Sequence, residues 1–179
     1  MANNILTIDE NFDFDKLTLV KPNTIGAGIY FSKLLYNKEN LVLQGPKCIT
    51  KNGLVSTAKK QYMDILYRNS AVTLLEWFEN LQKKLIDLIY NEKETLFEDD
   101  IEKDDIENLF IPTLKIYKGG KFYLFRANIQ NNSYLEDSST FKCYDEDLNE
   151  IDVNKIDNST VLIPLFEFKG LKISSKNFS

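Results

Sequence analysis

Residues 114–126 read Leu114-Lys115-Ile116-Tyr117-Lys118-Gly119-Gly120-Lys121-Phe122-Tyr123-Leu124-Phe125-Arg126. Two runs of β-compatible residues flank Gly119-Gly120, and glycine admits the positive φ that a tight turn demands, so the segment is predicted to be a β-hairpin. Side chains alternate across a strand. Lys121, Tyr123 and Phe125 therefore point one way, and Phe122, Leu124 and Arg126 the other. Cations interleaved with rings on a hairpin form the kind of surface that binds single-stranded nucleic acid, rings stacking on bases and cations tracking phosphates. Lys118, Lys121, Tyr123 and Arg126 are the first candidate binding residues.

Working outward, short strand patterns recur on both sides. Upstream, residues 16–21 alternate and stop at Pro22, and residues 29–36 are aromatic and β-compatible. Residues 41–49 form a further strand interrupted by Gly45-Pro46. Proline cannot donate to a ladder, so an edge or a bulge is expected there. Lys51-Asn52-Gly53 is a turn signal, and residues 61–67 suit a short strand. Downstream, a polar loop over 128–139 leads to a strand at 140–144, a turn at 145–149, and a second hairpin pattern over 160–169 and 171–176 around Gly170. The single predicted helix spans about 71–90. Leu74, Trp77 or Phe78, Leu81, Leu85 and Leu88 or Ile89 recur at three- and four-residue steps, and Asn69 or Ser70 is placed to cap the first free amides. These elements predict a mainly β (α+β) domain, a small barrel or sandwich with one inserted amphipathic helix. Residues 1–15 read as an N-terminal arm, 16–179 as a single domain, and 94–108 as an acidic, solvated loop.

The formal net charge is −5, which taken alone argues against a nucleic-acid partner. Residues 94–108, however, hold eight acids and one lysine, leaving 21 basic and 19 acidic side chains elsewhere. A local basic face is therefore compatible with the composition. A second basic and aromatic group comprises Lys47, Lys51, Lys59 and Lys60 with Tyr62, Tyr67 and Arg68.

The chain has no histidine, which removes the usual proton shuttle and the commonest metal ligand. Cys48 and Cys143 lie far apart and read as two buried thiols of a cytosolic-type chain. Gly119-Gly120 lacks phosphate-loop spacing, and Gly26-Ala27-Gly28 lacks the third glycine of a dinucleotide fold. Asp99, Asp100, Asp104 and Asp105 lack the glycine and spacing of a calcium loop. No basic start with an apolar core marks a signal peptide, and no apolar run spans a bilayer. The expectation is a protein that is neither an enzyme nor dependent on a cofactor or metal, is not secreted and has no membrane span.

Several segments carry a resemblance. They are Leu41-Val42-Leu43-Gln44-Gly45-Pro46-Lys47, Thr50-Lys51-Asn52-Gly53-Leu54, Tyr62-Met63-Asp64-Ile65-Leu66, and the helical Phe78, Leu81, Lys84 and Leu85. Further on come Thr140-Phe141-Lys142-Cys143-Tyr144-Asp145-Glu146-Asp147, the run Asn158-Ser159-Thr160-Val161-Leu162-Ile163-Pro164-Leu165, and Phe168-Lys169-Gly170-Leu171-Lys172-Ile173. Their order resembles a family of large eukaryotic DNA viruses that is itself similar to the single-stranded DNA-binding proteins of short-tailed phages. The resemblance implies an OB-like small antiparallel barrel with an added helix. The sequence departs from that pattern at Phe178-Ser179, where the family continues into another strand, and it lacks the phage proteins' acidic C-terminal tail. The implied function is non-catalytic single-stranded DNA binding in viral replication or repair, in a virus factory of the infected cell. Lys47, Lys51 and Lys172 would track phosphates, and Tyr62 or Tyr67 would stack. The alternative expectation is a virion structural protein, a minor capsid or internal scaffold component that binds other viral proteins. Self-association is compatible with both.

Overall fold

The computed structural model describes residues 5–97, 100–129 and 141–179. The described chain is mainly β, with antiparallel and mixed pairing and three α-helices. It divides into two compact units, residues 1–46, 71–113 and 165–179, and residues 47–70 and 114–164. The span expected to be one domain is thus shared between them, and each is described by itself.

In the first unit, β1 (Ile5–Thr7), β2 (Leu17–Leu19), β3 (Asn23–Gly26), β4 (Ile29–Tyr36) and β5 (Glu39–Gln44) precede the helices. β4 and β5 join through Asn37 and Lys38, both at positive φ. Part of the expected arm is built in, since β1 pairs in parallel with β5, Ile5 opposite Val42. The second predicted hairpin is not one. Its strands, β12 (Leu165–Phe168) and β13 (Gly170–Ser174), pair with different partners, β12 with β5 and β13 with β4. Gly170 marks the switch, and a β-carbon there would collide with the Ser32 carbonyl oxygen, so only glycine lets the two backbones approach. No closed barrel is found among the described strands.

The helix α1 (Val72–Asn91) buries Leu74, Trp77, Phe78, Leu81, Leu85 and Ile89 of the predicted stripe, and Ile86 besides. Its cap differs from expectation. Ala71 occupies the N-cap and no side chain bonds the first amides. Packing of the apolar face therefore supports this helix, as is usual when local capping is absent. Trp77 meets Phe12 and Phe14 at centroid distances of 5.1 and 5.6 Å, so the aromatic end of the expected arm lies on α1. The expected acidic loop is partly helical, as α2 (Lys93–Leu96) and α3 (Lys103–Leu109). Asp104 and Asp105 sit in the first turn of α3, where the helix dipole favours anions, while Ile106 is fully buried. The charge count concealed that single apolar anchor. Asp99 lies outside the described residues.

The second unit is built on β6 (Ile49–Ser56), β7 (Gln61–Arg68), β8 (Leu114–Tyr117) and β9 (Phe122–Ile129), in the order β6-β7-β9-β8. The Gly45-Pro46 interruption ends β5 outright, and β6 begins at Ile49. Lys51-Asn52-Gly53 is not a turn but an irregularity inside β6, where the register against β7 shifts between Thr50 and Leu54. Gly53 has a φ of 66°, and a β-carbon there would strike the Ile156 carbonyl oxygen. The two short strands β10 (Cys143–Tyr144) and β11 (Glu150–Ile151) pair across a turn held by Asp145, whose carboxylate accepts from the amides of Asp147 and Asn149. Most of the expected polar loop, together with Thr140, lies outside the described residues. Among the described residues no helix is long and apolar enough to cross a membrane.

Candidate nucleic-acid interface

The hairpin read from 114–126 forms as predicted, with Tyr117 opposite Phe122 and Leu114 opposite Phe125. Lys118, Gly119 and Gly120 all adopt positive φ to close it. The β7–β9 ladder runs from Gln61 opposite Ile129 to Arg68 opposite Phe122. This ladder places the two basic and aromatic groups, separate in sequence, on one sheet. Residues 47–70 and 114–129 together hold nine basic side chains and one carboxylate, Asp64.

Cross-strand register sorts the side chains. Tyr62, Asp64, Leu66 and Arg68 of β7 share a face with Phe122, Leu124 and Arg126 of β9 and with Tyr117 of β8. Three rings stand there, and each carries two cations. Arg126 lies 4.0 Å and Lys60 5.4 Å from the Tyr62 centroid. Arg68 and Lys121 lie 5.6 and 5.8 Å from Phe122. Lys51 and Lys118 lie 5.1 and 5.7 Å from Tyr117. A cation over an aromatic face within about 6 Å gains from the ring quadrupole and has its apolar stem held down. Lys51, Lys60, Arg68, Lys118 and Lys121 form no ion pair among the described residues. Arg126 differs, because its Nε and Nη2 donate to both oxygens of Asp64 at 2.7 and 2.9 Å. Those bonds hold the guanidinium pKa above its usual value.

The opposite face holds Met63, Ile65 and Tyr67 of β7 with Tyr123 and Phe125 of β9. Tyr67 is 1% exposed. It offers no ring to a base, and the expected stacking role is corrected to a core one. Burial also pushes the Tyr67 hydroxyl up in pKa. Tyr123 is half-buried and pairs with Tyr67 and Ile116, away from Arg126. Alternation along a strand forbids the pairing of Tyr123 with Arg126 in a single groove. Lys47 is exposed just before β6. Lys172 is exposed on β13 of the first unit and is not part of this sheet. Sequence reasoning missed Asp64 and Phe122. Asp64 was legible as the one acid in a basic strand pair, but its partner required the register.

Among the described residues no group of histidine, cysteine and carboxylate side chains could hold a metal ion. No family model, no curated protein and no solved structure matches this chain.

Proposed function

We propose that the β6-β7-β9-β8 sheet is the binding surface of a non-catalytic single-stranded DNA-binding protein acting in replication or repair. The observation that carries this reading is the set of three rings, each bearing two cations, on one sheet face. Cations mounted on rings are held outward at little cost in side-chain entropy, which suits them to a phosphate backbone. A four-stranded sheet is about 14 Å wide between its outer strands, at roughly 4.8 Å per strand. That exceeds the major groove of about 12 Å, which admits a helix or a two-stranded ribbon, so the width favours a single strand. The resemblance set out above supplies the viral setting, and the reading rests on the sheet face rather than on an OB-type barrel.

The test is a fluorescence titration with oligo-dT at low and moderate salt. Binding should weaken steeply with salt, each neutralised phosphate contributing about 0.7 to the logarithmic slope. Lys118→Glu with Lys121→Glu should weaken binding at least tenfold without altering the circular dichroism spectrum. Absence of binding by the unaltered protein at low salt would sink the proposal. A second reading, a virion component that binds other proteins, is favoured by Ile5 and Leu165. They are 54% and 58% exposed on the outer strands beside β5. Recovery in fixed copy number from purified particles would support it.

A further inference from the structure

Arg126 is unlike the other cations of the sheet. Its guanidinium carbon stands 4.0 Å from the Tyr62 centroid, the shortest cation–ring distance on this face. The bidentate bond to Asp64 fixes the orientation of the guanidinium plane. The Asp64 side chain is 6% exposed, whereas that of Arg126 is 43% exposed, so one partner is an internal anchor and the other reaches solvent. Register explains the arrangement. Asp64 is directly opposite Arg126, and Tyr62, two residues earlier on β7, is its diagonal neighbour on the same face.

A guanidinium held by two of its nitrogens cannot swing to follow a phosphate, and its charge is largely answered by Asp64. What it still presents is a flat outer surface, and guanidinium planes stack on bases as aromatic rings do. We infer that Arg126 is the base-contacting step of the sheet. One base stacks on its outward face, Tyr62 supports it from beneath, and Asp64 acts as the positioning residue. The lysines and Arg68 are left to the phosphates. This inference rests on the proposed single-stranded DNA binding and divides that surface into one base site and a phosphate track.

The experiment compares oligo-dT with an abasic oligodeoxynucleotide of equal phosphate number. The unaltered protein should prefer oligo-dT by about tenfold, the range of one stacked base. Arg126→Lys keeps the charge but loses the plane, and should abolish the preference while leaving the salt slope unchanged. Asp64→Asn frees Arg126 for a phosphate. It should lose the preference, bind the abasic strand more tightly and steepen the salt slope by about 0.7. A merely structural Asp64 would weaken binding to both strands alike. Should Asp64→Asn fail to fold, Arg126→Lys alone decides. Equal, salt-sensitive binding of both strands by the unaltered protein, or a preference surviving Arg126→Lys, would overturn the base site and leave the proposed function standing. Binding of neither strand would overturn both.

Discussion

The Thr50 hydroxyl donates to the main-chain carbonyl oxygen of Asp157 at 2.9 Å, tying β6 to a segment 107 residues away. The Thr50 hydroxyl oxygen in turn accepts from the Gly53 amide at 2.8 Å. Thr50 is fully buried, so neither contact has water as a ready substitute. Thr50→Val keeps the shape and removes both bonds. It should cost about 1–3 kcal/mol, the range for stranding a buried polar group, measured as a lower urea midpoint with unchanged m-value. A midpoint equal to that of the unaltered protein would refute the role given to this hydroxyl.

Gly53 and Gly119 share a positive φ but not surroundings. No atom lies within 4 Å of a β-carbon at Gly119, whereas one at Gly53 meets the Ile156 carbonyl oxygen. Gly119→Ala should cost about 1–2 kcal/mol, the left-handed penalty alone. Gly53→Ala should cost clearly more, and parallel thermal melts compare the two directly.

Phe12 touches Phe14, Tyr36 and Trp77 at centroid distances of 4.8, 5.0 and 5.1 Å. Phe12→Ala should destabilise by about 2 kcal/mol, below the range for a fully buried phenylalanine because this ring is half-buried. Trp77 is the sole tryptophan, so its fluorescence should shift in the folded variant and report the melt. Removing the exposed Lys84–Asp15 ion pair should change little by comparison.

Burial pushes the Cys48 thiol up to about 12 in pKa. The thiolate is the reactive form, so at pH 8 Cys48 should resist alkylation until the protein unfolds. Cys143, expected to be buried like Cys48, is only half-buried and should react first. Equal fast labelling of both thiols in native protein would contradict the packing around Cys48.

The hydroxyl and amide of Ser159, with the Thr160 hydroxyl, hold the Asp157 carboxyl down at about 2, against 3.8 when unperturbed. A depressed folded-state value means stability present above about 3.8 and lost as pH falls through about 2. The stability difference between the unaltered protein and Asp157→Asn should therefore persist at pH 6 and fade over that acid window. A difference independent of pH would argue against the Ser159 and Thr160 bonds.

Much of the strand content was legible because period-2 patterns and glycine turns act locally. The 114–126 hairpin and the strand at 29–36 needed no distant partner to be recognised. The α1 stripe was legible for the same reason, through its three- and four-residue spacing. Misreadings fell where the deciding contact was remote. Lys51-Asn52-Gly53 has turn chemistry, but Ile156 and Asp157 make it a strand irregularity. Gly170 looked like a hairpin turn, but the close approach of Ser32 makes it a switch between two ladders. In the site, composition supplied the cations and rings, and alternation separated Tyr123 from Arg126. Nothing local marked Tyr67 as core or Arg126 as tethered.

By itself the sequence determined a β-rich chain with one long amphipathic helix, no histidine chemistry, and cations interleaved with rings on its strands. Turn propensity, side-chain alternation and composition are properties of neighbours along the chain. Only the tertiary structure decided that two basic segments share one sheet face, that Tyr67 is buried, and that Asp64 holds the Arg126 guanidinium 4.0 Å from the Tyr62 ring centroid. Register between strands is set by packing over the whole sheet, and a one-residue slip would move every one of these side chains to the other face.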